Sequence, residues 1–273
     1  MSNKQKCRFR RLFDFIHYGE IQLQVFLLVM LRTTGLFLIA PVFSHRTIPK
    51  LVKVGLLISL SLLFVPTLSA DSVPLMESFW QLAGMAAKEI LVGFIIGLLF
   101  RLIFMAAKTA GSMIGYQIGF ALVSMPDVEE GGQVTILGSF WFLVAMLIFL
   151  SIDGHHLVLT AFADSYEVIP PGMVYLASQV GELIIKYTAY VFIIALKMAA
   201  PVMITLFLTD MALGTIAKTM PTMNVFFVGF PIKIGVGLMV MALSLPVFSY
   251  VLQQAMTYLD GELRLVFAAM GKA

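Results

Sequence analysis

Residues 88–120 read KEILVGFIIGLLFRLIFMAAKTAGSMIGYQIGF. The stretch is apolar enough for a membrane helix, yet Lys88, Glu89, Arg101 and Lys108 interrupt it. An ionisable side chain at membrane depth costs roughly 3 kcal/mol on insertion scales, so each needs a partner or water. Lys88 and Glu89 are adjacent and point in different directions on a helix, so they do not pair with each other there. Small residues recur at every fourth position, first Gly93 and Gly97, then Ala107, Gly111, Gly115 and Gly119. On a helix that spacing makes one smooth face, and a second backbone can approach it closely. Glycine is also a poor helix former, so the second run equally admits an ordered loop. A loop at membrane depth must be buried in protein or line a water-filled cavity. On that reading Gly111, Gly115 and Gly119 let a segment fold tightly in a channel, while Met113, Phe120 and Met125 obstruct it.

The rest of the chain repeats the pattern. Of 273 residues, 60% are apolar and 12% charged, about half the charged share of an ordinary globular domain. The mean hydropathy is +0.98. Disorder is excluded and a water-soluble domain disfavoured; a polytopic, all-α membrane protein is expected. Apolar stretches run from Ile21 to Ser44, Val54 to Ala70, Phe79 to Ala107, Thr109 to Pro126, Gly131 to Ile152, Leu183 to Thr209, Met211 to Ile232 and Ile234 to Leu259. Arg32, Lys186 and Lys197 break others of these stretches, and prolines recur throughout, each expected to end or kink a helix. The expected architecture is broken helices and helical hairpins, with an internal boundary near residues 170–182, at Pro170-Pro171-Gly172.

Charge placement contains a conflict. The tail before Ile21 holds Lys4, Lys6, Arg8, Arg10 and Arg11, and the connection from His45 to Lys53 is basic too. Positive-inside counting places both on the cytoplasmic side, which a single crossing between them cannot achieve. Either the first apolar stretch is a hairpin or re-entrant element, or the protein does not sit flat in lipid. The tail reads as an orientation signal rather than a cleaved signal peptide or a nucleic-acid arm.

No catalytic constellation stands out. There is no phosphate loop, nucleophile elbow or zinc-protease signature, and no cofactor is expected. The single cysteine excludes an intrachain disulfide framework. Asp153-Gly154-His155-His156 reads as a turn at a membrane boundary rather than a metal site, because adjacent histidines do not share a helix face. Arg32, Glu89, Arg101, Lys197, Asp210, Lys218 and Lys233 are the candidates for buried or inter-subunit charge contacts, with Glu89 and Asp210 as acceptors. A stand-alone secondary transporter or ion channel is the rival class, since broken helices and intramembrane charges are transporter features as well.

An ordered set of motifs resembles the FliR family of type III secretion export-gate proteins (SctT in injectisomes). The set begins with Arg32-x2-Gly35-x5-Pro41 and Lys88-Glu89-Ile90-x2-Gly93-x3-Gly97, then the Gly111/Gly115/Gly119-Phe120-Ala121 run. Phe149-Leu150-x2-Asp153-Gly154-His155-His156, Ser165-Tyr166-x3-Pro170 and Pro201-x8-Asp210-x3-Gly214-x6-Pro221-x2-Asn224 follow. Lys218 stands where the family often has arginine, and lysine cannot make the bidentate contact. The Asp-Gly-His-His piece looks more like the flagellar branch than the virulence branch. The resemblance implies a basic tail over 1–20, a FliP-like helical part with a plug loop over 21–180, and a FliQ-like hairpin over 181–273. It further implies a non-enzymatic gate subunit in the bacterial inner membrane, at the flagellar basal body. Its implied partners are FliP, FliQ, FlhB and unfolded flagellar export substrates, and the implied gate is raised out of the bilayer plane.

Overall fold

Charged residues interrupt the apolar pattern of this chain but not its backbone. The computed structural model describes residues 22–44, 48–68, 78–120, 124–126, 133–175, 177–220 and 224–271. The basic tail over 1–20 and the acidic segment Asp127-Val128-Glu129-Glu130 lie outside the described residues, as does Pro221. Helix α1 spans Gln22–Ile39, the single turn α2 Pro41–Ser44 and α3 Lys50–Phe64, which ends in a tight turn at Val65–Thr67. Helix α4 runs Phe79–Ile118, and short strands β1 (Ser124–Pro126) and β2 (Gln133–Thr135) follow. Then come α5 Ile136–Ser151, α6 Gly154–Val168, α7 Ser178–Thr219, α8 Val225–Leu243 and α9 Leu245–Gly271. The class is all-α, of membrane type. Among the described residues four helices are long and apolar enough to cross a membrane, and two further pairs are bent at short breaks.

One expectation changes here. Separate apolar stretches were expected on either side of Lys108 and of Asp210, but α4 and α7 continue through both positions. Lys is a good helix former, and a charge alters what a helix must face without unwinding it. Of the prolines expected to end or kink a helix, Pro201 lies inside α7 and Pro231 inside α8. Pro201 removes one N–H, and one turn further on Thr205 Oγ1 donates to the Pro201 carbonyl at 2.9 Å. Pro246 behaves as expected. It is the second residue of α9, where a missing N–H costs nothing, and α8 and α9 bend by 54° just before it.

At about 1.5 Å per residue, the 40 residues of α4 and the 42 of α7 each extend about 60 Å, twice a ~30 Å hydrocarbon core. The chain forms two compact units. One comprises Met1–Leu99, Leu157–Glu182 and Leu263–Ala273, the other Phe100–His156 and Leu183–Glu262. Both units are discontinuous in sequence, with junctions at 99/100, 156/157, 182/183 and 262/263.

In the first unit, α1 crosses α4 backbone to backbone. A Cβ on Gly35 would run into the Ile90 carbonyl oxygen, and one on Gly93 into that of Arg32. A Cβ on Gly97 would lie 3.0 Å from the Leu36 oxygen. No larger residue fits at Gly35 or Gly93 without moving a helix. Around the crossing, Val25, Leu28, Leu36, Val92 and Ile96 form the core.

Gly93→Ala is therefore expected to lower stability by roughly 1–3 kcal/mol through overpacking. Gly55→Ala, with nothing within 4 Å of the added carbon, should leave it unchanged or raise it slightly. Thermal unfolding of the detergent-solubilised protein distinguishes the two.

Candidate functional site

The α1–α4 crossing sets two charged side chains against each other. Arg32 lies one turn before Gly35, and Glu89 one turn before Gly93. Both are 0% exposed. Arg32 Nε donates to Glu89 Oε2 at 2.7 Å, and Nη2 to Glu89 Oε1 at 3.3 Å, the fork-to-fork geometry that arginine alone provides. The same guanidinium donates from Nη1 to Ser165 Oγ at 3.0 Å and from Nη2 to the Ile169 carbonyl at 3.0 Å. Its carbon lies 4.1 Å from the centre of the Tyr166 ring. Glu89 Oε1 also accepts from the Gly172 amide at 2.7 Å.

Four of the five guanidinium N–H donors are thus engaged, and both carboxylate oxygens. Isolated, either charge would be prohibitive here; with its partners it ties together four pieces of chain. Arg32 comes from α1, Glu89 from α4, Ser165 and Tyr166 from α6, and Ile169 and Gly172 from the turn beyond α6. Gly172, whose amide meets Glu89, holds φ = 82°, a conformation that suits glycine. The sequence marked Arg32 and Glu89 but not the remaining partners. Ser165 and Tyr166 stood only within a family motif, and the Ile169 and Gly172 backbone groups carry no side-chain signal.

In the second unit, the glycine run is helical at Gly111 and Gly115, so the tight fold expected of a loop is not seen there. Met113 is half-buried in the same helix. The reason is packing against the start of α5. A Cβ on Gly111 would strike the Leu137 carbonyl oxygen and lie 2.6 Å from Trp141 Cδ1. One on Gly115 would lie 3.2 Å from Thr135 Oγ1. Thr135 caps α5, accepting from the Gly138 amide at 3.0 Å, and its hydroxyl donates to Ser112 Oγ at 3.2 Å.

The chain leaves α4 only at Gly119, where φ = 102° reverses the backbone and the amide bonds back to Gly115 O at 3.1 Å. Phe120 packs edge-on to Phe230 of α8, with ring centres 6.4 Å apart. Met125 lies in β1, whose antiparallel register pairs Ser124 with Thr135, Met125 with Val134 and Pro126 with Gln133. The α4–α5 connection is thus fastened at both ends, by the reversed glycine and by the Thr135 cap.

The other candidates separate. Asp210 of α7 pairs with Lys233 of α8 across a half-buried surface. Lys197 and Lys218 are exposed on α7. Arg101 and Lys108 are half-buried, and both interact with other groups. Lys186, which the sequence did not single out for pairing, sits 3.5 Å from the buried Glu262 of α9. Asp153, at φ = 55°, makes the α5–α6 turn. Among the described residues no three His, Cys, Asp or Glu side chains gather as a metal site would require.

Residues 23–259 match the family described as "Bacterial export proteins, family 1". The chain belongs to this family, that of the flagellar biosynthetic protein FliR. The FliR of Bacillus subtilis (strain 168) is 33% identical over 249 residues, covering 90% of this chain and 95% of the relative. That of Escherichia coli (strain K12) is 30% identical over 222 residues, covering 81% and 84%. That of Caulobacter vibrioides is 27% identical over 226 residues, covering 82% and 89%. As a member of the FliR family with several apolar helices, the chain is a membrane-associated component of the flagellar export apparatus.

Removing one partner of the buried pair should cost about 3–5 kcal/mol, because it strands the other charge. Arg32→Met and Glu89→Leu are each expected to reduce the folded protein in membranes sharply, and the double substitution to recover much of the loss. Arg32→Lys should behave like a loss, since a point charge cannot span Glu89, Ser165 and the Ile169 carbonyl together. Unfolding midpoints across the cycle measure the coupling; additive losses would contradict it.

Proposed function

We propose that this chain is a core subunit of the flagellar type III export gate, forming and plugging the channel for unfolded flagellar proteins. In this reading it assembles with FliP and FliQ, with FlhB on the cytoplasmic side, in the inner membrane at the basal body. Residues 21–180 play the FliP-like part and 181–273 the FliQ-like part. The plug is the α4–α5 connection from Gly119 onward, with Phe120 and Met125 as bulky elements. The glycine seam at Gly111 and Gly115 is its mounting rather than its body.

The observation that carries the reading is the double fastening of that connection. Gly119 reverses the chain at one end, and Thr135 is locked against Ser112 and Gly115 at the other. A segment held at both ends over a short ladder can block a path and yield without detaching. Methionine and phenylalanine suit a seal that must repack around varied substrates.

Two features favour an assembly over a solitary transporter. Helices of about 60 Å overrun any bilayer core. The exposed apolar side chains of α7, among them Phe192, Leu196, Ile204 and Phe207, share its surface with exposed Lys197. Lipid is a poor neighbour for that combination; other protein chains around a wet conduit are a good one.

The test uses cells carrying the otherwise complete apparatus. Phe120→Ala, and a variant with residues 120–132 replaced by a glycine-serine link, are each expected to co-purify with the gate. Both should raise the passive leak of small ions across the inner membrane, read as a fall in membrane potential. Assembled variants with an unchanged potential would remove the plug from the account.

A further inference from the structure

The four helices capable of crossing a membrane differ in what surrounds them. In the most apolar 18-residue window of α4, 67% of residues are buried, against 44% for α1 and 39% for α7. In the α3 span, Lys50–Thr67, the share is 6%. Helix α3 touches the rest of its unit along one narrow stripe. Ser61, fully buried, lies 3.4 Å from Thr33 Oγ1, and the Phe64 ring meets Phe162 at 5.1 Å and Tyr166 at 6.0 Å. Leu51, Val54, Leu56, Ile58, Leu62 and Leu63 stand exposed around the remaining faces.

Charge separates this surface from that of α7. From Val54 to Ser69 there is no ionisable residue, while Lys50 and Lys53 sit together at the N-terminal end. The 18 residues span about 27 Å at ~1.5 Å each, and the part free of lysine, Val54–Thr67, about 21 Å, against the ~30 Å of a hydrocarbon core. An uncharged apolar band with its bases at one rim is the pattern of a helix solvated by acyl chains with its lysines among headgroups. The exposed surface of α7 carries Lys186, Lys197 and Lys218 along its length, which fits protein or water instead.

We propose that α3 is the lipid-facing helix of this protein, with its Leu, Ile and Val surface against acyl chains and Lys50 and Lys53 at the headgroup layer. A protein helix is the other conceivable occupant, since Gly55 and Ser59 are small and four residues apart. However, where helices of this chain meet backbone to backbone, as at the α1–α4 and α4–α5 contacts, both partners carry glycine at the contact. On α3 the remaining exposed positions are bulky. The proposal goes beyond the plug and stands or falls separately from it, and for α3 it departs from the raised position that the family resemblance implies.

The experiment begins from Cys7→Ser, with single cysteines placed at Ile58, Leu62 or, for comparison, Phe207. The intact assembly is purified, labelled with bimane and returned to bilayers of either ordinary or brominated-chain phosphatidylcholine. Emission at positions 58 and 62 should be lost in the brominated bilayers, and emission at 207 retained. Unquenched labels at 58 and 62, or a photo-crosslinker at those positions attaching to another protein chain, would overturn the proposal. A leak test that fails for the plug would not affect this outcome.

Discussion

A guanidinium and a carboxylate, both fully buried, sit where α1 and α4 touch. Removed from water, this pair would be a liability unless nearly every donor and acceptor were met. It is tolerable here because glycine lets the two backbones close in, and because a serine hydroxyl, a carbonyl, an amide and a tyrosine face complete the shell. The dependence runs both ways. Without Gly35 and Gly93 the charges would stand too far apart, and without the charges α6 and the following turn would lose the bonds that Ser165, Ile169 and Gly172 make to the crossing. Such a network contributes less to net stability than to uniqueness, by fixing one register of α1 on α4 among the many that apolar helices could adopt.

The second unit uses the same device for another purpose. Gly111 and Gly138 bring α4 and α5 into close contact, and Thr135 both caps α5 and abuts Gly115. What is held between the two helices is a connection rather than a charge pair. Between the two helices lies a short antiparallel ladder, Ser124–Pro126 against Gln133–Thr135. In both units, small residues are placed where a backbone must come near, so that a polar or bulky group can be positioned beside it.

The sequence made the class of fold legible because hydropathy and proline placement survive any arrangement in space. It also marked Arg32, Glu89 and Asp210 as groups that need partners, because an ionisable side chain among apolar residues carries that demand with it. It could not show which partners they take. Ser165 is 133 residues from Arg32, and Gly172 contributes only an amide, which every residue but proline possesses. Lys108 suggested a boundary inside what is one helix, because hydropathy records polarity and not backbone continuity. The glycine run was ambiguous for a related reason. Its spacing fits a packed helix and its composition fits a loop, and only the nearby Leu137 carbonyl and Thr135 side chain decide in favour of helix as far as Ile118.

The claim beneath this account is that Glu89, paired with Arg32, reaches out of its helix to fix the Pro170-Pro171-Gly172 turn. Amide hydrogen exchange of that turn in the assembled protein measures it most directly. The account predicts that the Gly172 amide exchanges as slowly as the buried helical amides of α4. Exchange at the rate of an open, water-exposed turn would contradict it.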